Sequence, residues 1–225
     1  MNAQAMTNLN QSKPDEAKAI KRAVIDAGLR LVKEGLIVGT SGNISIRLDN
    51  DHMAITPSGL PYHTINEEDI VVVNINDLSY DNRNKPSEEK MIHADIYVQN
   101  PAANAVVHTH QTSASIIAST RRKLPVGKSE WIDILGDKTI PCAAYGLPGT
   151  GKLKKSVLKA IKGRNACFFA NHGAICVGAD IEEAFLVSKT LELASQHYID
   201  ECFKELASKA SMPMSKQDYY ITHNC

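Results

Sequence analysis

Two short apolar runs, residues 166–170 and 174–177, are separated only by Asn171, His172 and Gly173, and this spacing constrains the fold more than any other feature of the chain. A three-residue link can join antiparallel strands. It cannot supply the dozen or more residues that a parallel crossover needs. Gly173 is expected in the left-handed position of the link, which places His172 on the turn. Further runs of strand character fall at 44–47, 53–55, 70–73, 103–110 and 139–145, bounded by Gly, Pro, Asn or Asp. Between them, apolar residues recur at helical spacing. Ile20, Val24, Ala27 and Leu31 form one stripe closed by Gly35; Met91, Ala94, Ile96 and Val98 follow a start at Pro86-Ser87; 112–119 and 153–161 are two more. Asp180 with Glu183 makes a capping-box start for a long helix carrying Ala184, Val187, Leu191, Ala194 and Tyr198. The order predicts an α/β protein with a largely antiparallel sheet flanked by helices. Residues 1–13 are polar and read as a flexible tail, leaving 14–225 as one domain.

Composition narrows the function classes. Lys+Arg and Asp+Glu number 25 each, so no net field exists to draw in a phosphate backbone or an anionic membrane, and neither nucleic acid nor membrane is expected as a partner. No apolar stretch approaches the ~20 residues of a bilayer span, and the N-terminus lacks the apolar core of a secretory signal. Cys142, Cys167, Cys176, Cys202 and Cys225 are widely spaced with no C-x-x-C pair, which fits a reducing cytoplasm rather than a disulfide framework.

Chemistry concentrates in the histidines. His108 and His110 stand two apart at the end of a strand, so both imidazoles project from one face. That is metal-ligand geometry, although two polar strand residues facing solvent would show the same spacing. His172 on its tight turn could complete a three-histidine set that leaves a position open for substrate. Glu89 could be a fourth ligand or a base, or simply a carboxylate favouring a helix N-terminus. The turns 39–43 and 56–59, rich in Gly and hydroxyls, could converge backbone N–H groups on a phosphate or be plain β-turns. Residues 146–153 imitate a P-loop, but Leu153 stands where the magnesium-binding hydroxyl belongs, so a glycine turn into a Lys-rich helix is expected instead. His93, four residues after Glu89, reads as a packing or orienting residue, and His52, His63, His197 and His223 belong to no constellation.

The motifs Gly-Thr-Ser-Gly-Asn (39–43), Ile-Thr-Pro-Ser-Gly (55–59), Pro-Ser-Glu-Glu (86–89), Val-Val-His-Thr-His (106–110) and Asn-His-Gly (171–173), in this order, resemble the class II aldolase/adducin family across nearly the whole chain. The resemblance implies a three-layer α/β/α sandwich around an antiparallel sheet and a homotetramer with active sites at subunit interfaces. It also implies Zn2+ on His108, His110 and His172, with Glu89 as acid/base that also approaches the metal. Gly42, Asn43, Ser58, Gly59 and Ser87 would hold a substrate phosphate. The implied reaction cleaves a ketose 1-phosphate to dihydroxyacetone phosphate and a short aldehyde, with zinc as Lewis acid for the enediolate and Glu89 moving the proton. Sugar-phosphate 4-epimerases, dehydratases, decarboxylases and a non-catalytic assembly module share the family. Two departures stand out. Glu88 occupies the place of a second Ser and would repel a phosphate unless its side chain turns away. Neither Trp131 nor Tyr219-Tyr220 aligns with the family's aldehyde-side tyrosines.

Overall fold

The structure, a computed structural model, describes residues 3–80 and 82–209, with side chains from Asp15 onward apart from residue 81. The expected tail, the Tyr219-Tyr220 pair, His223 and Cys225 lie outside the described side chains. Among the described residues no helix is long and apolar enough to cross a membrane.

Strands β1 (Asn43–Arg47), β2 (His52–Ile55), β3 (Val71–Asn74), β4 (Ala105–Thr109), β7 (Cys142–Ala143), β8 (Ala166–Phe169) and β9 (Gly173–Gly178) form one sheet in the order β3-β2-β1-β4-β9-β8-β7. The pairings are antiparallel except β7 with β8, which is parallel, so the sheet is mixed. The reason lies in the connection. Helix α5 (Gly151–Ile161) runs between β7 and β8 and supplies the crossover that the other links are too short to make. The single strand expected at 139–145 is broken at Pro141, which cannot donate to a ladder. Its first half, β6 (Thr139–Ile140), pairs instead with β5 (Leu124–Pro125) in a separate small sheet.

Alternation along the strands sends side chains to two faces. Met53, Ile55, Val106, Phe169 and Ile175 pack with Ile92, Ile96 and Tyr97 of α2 (Lys90–Gln99) and with Leu153 and Val157 of α5. On the opposite face Ile44, Ala105 and Val107 pack with Val24 and Leu31 of α1 (Ala3–Lys33) and Phe185 of α6 (Ile181–Lys209). Ala174 and Cys176 there meet α3 (Thr112–Thr120) and the middle of α6. Helix α1 ends as its sequence requires: Gly35 at φ +71° lets Leu36 N donate to Leu31 O and Gly35 N to Val32 O. Helix α4 (Ser129–Leu135), which carries Trp131, has no counterpart in the sequence reading.

The hairpin is present with one correction. Its left-handed residue is Asn171, at φ +58°, whereas Gly173 already belongs to β9 and pairs with Phe169. Asn tolerates the left-handed region through its short polar side chain, so the turn closes one residue earlier than expected.

Candidate active site

The end of β4, the β8–β9 turn, the start of β1 and the start of α2 converge at one end of the sheet. His108 is buried on the α2 side of β4, its ring stacked on Phe169 with centroids 5.1 Å apart. Its Nδ1 bonds the Ala174 carbonyl oxygen at 2.9 Å. A carbonyl only accepts, so Nδ1 carries the proton and Nε2 presents a lone pair to the site. That Nε2 lies 2.7 Å from His110 Nε2. His172 reaches in from the turn, and ligand atoms of the three imidazoles all fall within 4.8 Å of one another. The pattern of two strand histidines plus one turn histidine is therefore assembled in space.

Gly173 makes this approach possible. A Cβ on it would collide with the Thr109 carbonyl oxygen and stand 2.8 Å from His110 Cδ2. Gly42 does the same service on the other side of β4, at φ +77° and with a would-be Cβ 2.6 Å from His108 O.

Glu89 occupies the N-cap position of α2, just before rather than within the first turn, and makes no side-chain cap bond. Its buried carboxylate turns into the site. Oε2 accepts from Asn43 Nδ2 at 2.8 Å and lies 3.3 Å from His108 Nε2, and Oε1 lies 3.8 Å from His172 Nδ1. Asn43, expected near a phosphate, thus places its side-chain amide on Glu89.

These residues fit a cation. Burial pushes the His108 imidazole down to about 3, with His110 adding to the effect, so at neutral pH its Nε2 lone pair faces the Glu89 carboxylate oxygen. Burial likewise lowers His172 to about 4, with His108 adding to it, and pushes His110 down against the attraction of Glu89. Glu89 Oε1 and His172 Nδ1 are both buried without a hydrogen-bond partner. Lone pairs and a carboxylate facing one another, with unpartnered ligand atoms between them, are relieved by a metal ion accepting from all. Four-coordinate nitrogen and oxygen donors of this kind suit zinc and other divalent transition ions.

A cleft of about 220 Å³ opens above the cluster, and all the expected substrate-side residues line it: Gly42, Asn43, Ser58, Gly59 and Ser87. They do not all offer amides. Ser58 N donates to Lys85 O and Ser87 N to Thr56 O, so these two serines can present only hydroxyls. Glu88 and Pro148 line the same cleft, and Glu88 is exposed beside Gly149. The P-loop look-alike is a capped turn: Thr150 Oγ1 accepts from Leu153 N at the start of α5.

A buried carboxylate set against three imidazoles beneath an open cleft, on a mixed α/β fold, defines a site able to hold a divalent metal beside that carboxylate. The family described as the class II aldolase and adducin N-terminal domain matches residues 22–199. The chain belongs to that family, as an enzyme of its aldolase, or lyase, type. L-fuculose phosphate aldolase of Escherichia coli O6:H1 is 35% identical over 184 residues, 82% of this chain and 84% of that protein. A 5-methylthioribulose-1-phosphate/5-deoxyribulose-1-phosphate aldolase of Rhodospirillum rubrum is 34% identical over 186 residues, 82% and 83% of the two chains. A solved L-fuculose 1-phosphate aldolase superposes with a TM-score of 0.77 at 31% identity, covering 92% of this chain and 95% of that one.

Proposed function

We propose that the protein is a metal-dependent aldolase that cleaves a ketose 1-phosphate of the L-fuculose 1-phosphate type into dihydroxyacetone phosphate and a short aldehyde. The observation that carries this reading is Glu89, a buried carboxylate with one oxygen fixed by Asn43 and the other unpartnered, facing three convergent imidazoles. His108, His110 and His172 would hold zinc, with Glu89 approaching it. When bound, the metal supplies Lewis-acid stabilisation of the negative charge that develops on the substrate oxygens. Glu89 handles the proton. As the C–C bond breaks, the hydroxyl that becomes the aldehyde gives up its proton and the bond's electron pair stays with the phosphorylated three-carbon fragment; Glu89 Oε1, having taken up one proton, delivers it to that carbon, so one proton leaves the substrate and one returns. Gly42 and Gly59 would contribute backbone amides to the phosphate, with Ser58 and Ser87 adding hydroxyls and Asn43 fixing the wall beside them. Relatives of nearly equal identity are named for different ketose 1-phosphates, which supports the ketose 1-phosphate as the class and leaves the aldehyde half variable. The homotetramer and the interfacial active sites implied by the sequence resemblance, and the cytoplasmic setting that the cysteine spacing fits, are part of the same proposal.

The test is a coupled assay for dihydroxyacetone phosphate release from a panel of ketose 1-phosphates, with metal content measured on the same sample. Glu89→Gln keeps the side chain's shape, so it is expected to retain metal and lose roughly 10²- to 10⁴-fold in release. Undiminished release in Glu89→Gln would overturn the assigned role. Bound metal with no release from any substrate would instead favour epimerase or decarboxylase chemistry, and neither metal nor release would favour an assembly module.

A further inference from the structure

Strand β1 presents two different faces. Ile44 and Ile46 pack with α1 in the apolar core, whereas Asn43, Ser45 and Arg47, facing α2, are all polar. Ser45 and His93 are completely buried there, where a polar group is costly unless bonded. Each of the three is bonded to α2. Asn43 Nδ2 donates to Glu89 Oε2 at 2.8 Å; Ser45 Oγ lies 2.8 Å from His93 Nδ1 and 2.8 Å from Tyr97 Oη; Arg47 donates to the Tyr97 carbonyl at 2.9 Å and lies over its ring. Glu89, His93 and Tyr97 are four apart and share one helix face.

We assign the one proton of Tyr97 Oη to the Ser45 carbonyl at 3.0 Å, an acceptor that has no proton of its own, which makes the serine hydroxyl the donor in the Ser45–Tyr97 contact. Ser45 Oγ then has no proton left for His93, and His93 Nδ1 is the donor. The chain His93 Nδ1–H to Ser45 Oγ–H to Tyr97 Oη–H to Ser45 O is directional and closed. Apolar packing alone is non-directional and would let a helix slide on a sheet. Three polar pairs at matched spacings on strand and helix permit one register.

We propose that His93, with Ser45 and Tyr97, is a positioning residue: this polar seam fixes α2 against β1 and so sets where the Glu89 carboxylate stands over the three imidazoles. The inference rests on the Glu89 reading above. Displacement of about 1 Å at a reacting group can cost roughly 100-fold in rate, so the seam has leverage without touching substrate.

The experiment follows exchange of the carbon-bound hydrogens of dihydroxyacetone phosphate with deuterated water by NMR, on metal-loaded protein, for Ser45→Ala, His93→Leu, His93→Asn and Glu89→Gln. The first two are expected to lose roughly tenfold or more in kcat with KM within about twofold and metal content unchanged. His93→Asn keeps an N–H donor where Nδ1 stands and is expected to recover most of the loss. If His93→Leu does not fold, Ser45→Ala, the smaller deletion, carries the test. Independently, the nitrogen spectrum of His93 in the wild-type protein at neutral pH is expected to show the Nδ1–H tautomer. Wild-type kcat in Ser45→Ala, a loss confined to KM or to metal content, absence of rescue by His93→Asn, or an Nε2–H tautomer would each overturn the seam. A large loss in Glu89→Gln beside unaffected seam variants overturns the seam alone, whereas a wild-type rate in Glu89→Gln overturns the Glu89 reading and the seam's role with it.

Discussion

At Gly173 a single added carbon would meet the Thr109 carbonyl oxygen and crowd the His110 ring, and both neighbours belong to the segment that carries the histidine pair. Neither can yield without moving His108 or His110. Gly173→Ala is therefore expected to cost roughly 1–3 kcal/mol, the usual penalty of overpacking, and to lower metal content together with stability. Urea unfolding and metal analysis on one preparation check this; unchanged metal content would show that the strand end absorbs the extra carbon. The same residues show what a sequence discloses at this scale. His108-x-His110 was legible because strand alternation puts both rings on one face, and His172 because its turn is short. The real need for glycine at 173 was not, since the crowding comes from Thr109 and His110, distant in the chain. The use of Asn43 on Glu89 and of Ser45 on His93 was hidden for the same reason, with partners 46 and 48 residues away.

Elements were legible where local chemistry decides them and obscure where a distant partner does. The long helix α6 begins where its capping pattern says: Asp180 Oδ1 accepts from Glu183 N at 2.8 Å, and Glu183 Oε2 accepts from Ala179 N at 2.6 Å. Asp180→Ala is expected to remove about 1 kcal/mol of stability while leaving kcat unchanged, because the cap lies in β9's exit rather than at the histidine end of the sheet. Thermal or urea unfolding beside the release assay separates the two effects, and a matching fall in kcat would show that α6 helps hold the site. By contrast, the parallel pairing of β7 with β8 depends on α5 returning across the sheet, and two-residue strands such as β5 and β6 have too little pattern to announce a partner. Pro141 was the one local signal that the 139–145 run could not be a single strand, since its missing N–H interrupts any ladder.

For the molecule as a whole, buried histidines couple folding to pH. His93 and His108 are both pushed from an ordinary 6.5 down to about 3, chiefly by desolvation, so the folded protein keeps them neutral where the unfolded chain would protonate them. Below pH 6.5 the unfolded state therefore binds more protons than the folded state, and stability rises with pH across this window. Read in the other direction, the metal-free protein loses stability as pH falls from about 6.5 toward 3, at up to about 1.4 kcal/mol per pH unit for each such imidazole, and levels off above the window. Ordinary carboxylates titrate mostly below about 4.5, so the segment between about pH 6.5 and 5 isolates the histidine contribution. Urea midpoints of chelator-treated protein across that segment measure the slope. His93→Asn removes one of these depressed imidazoles, among which His172 and His110 also count, while preserving the donor to Ser45, so its slope is expected to be shallower by about one proton's worth. An unchanged slope would mean that His93 takes up its proton in the folded protein as readily as in the unfolded chain, and would overturn the assignment of the slope to its burial.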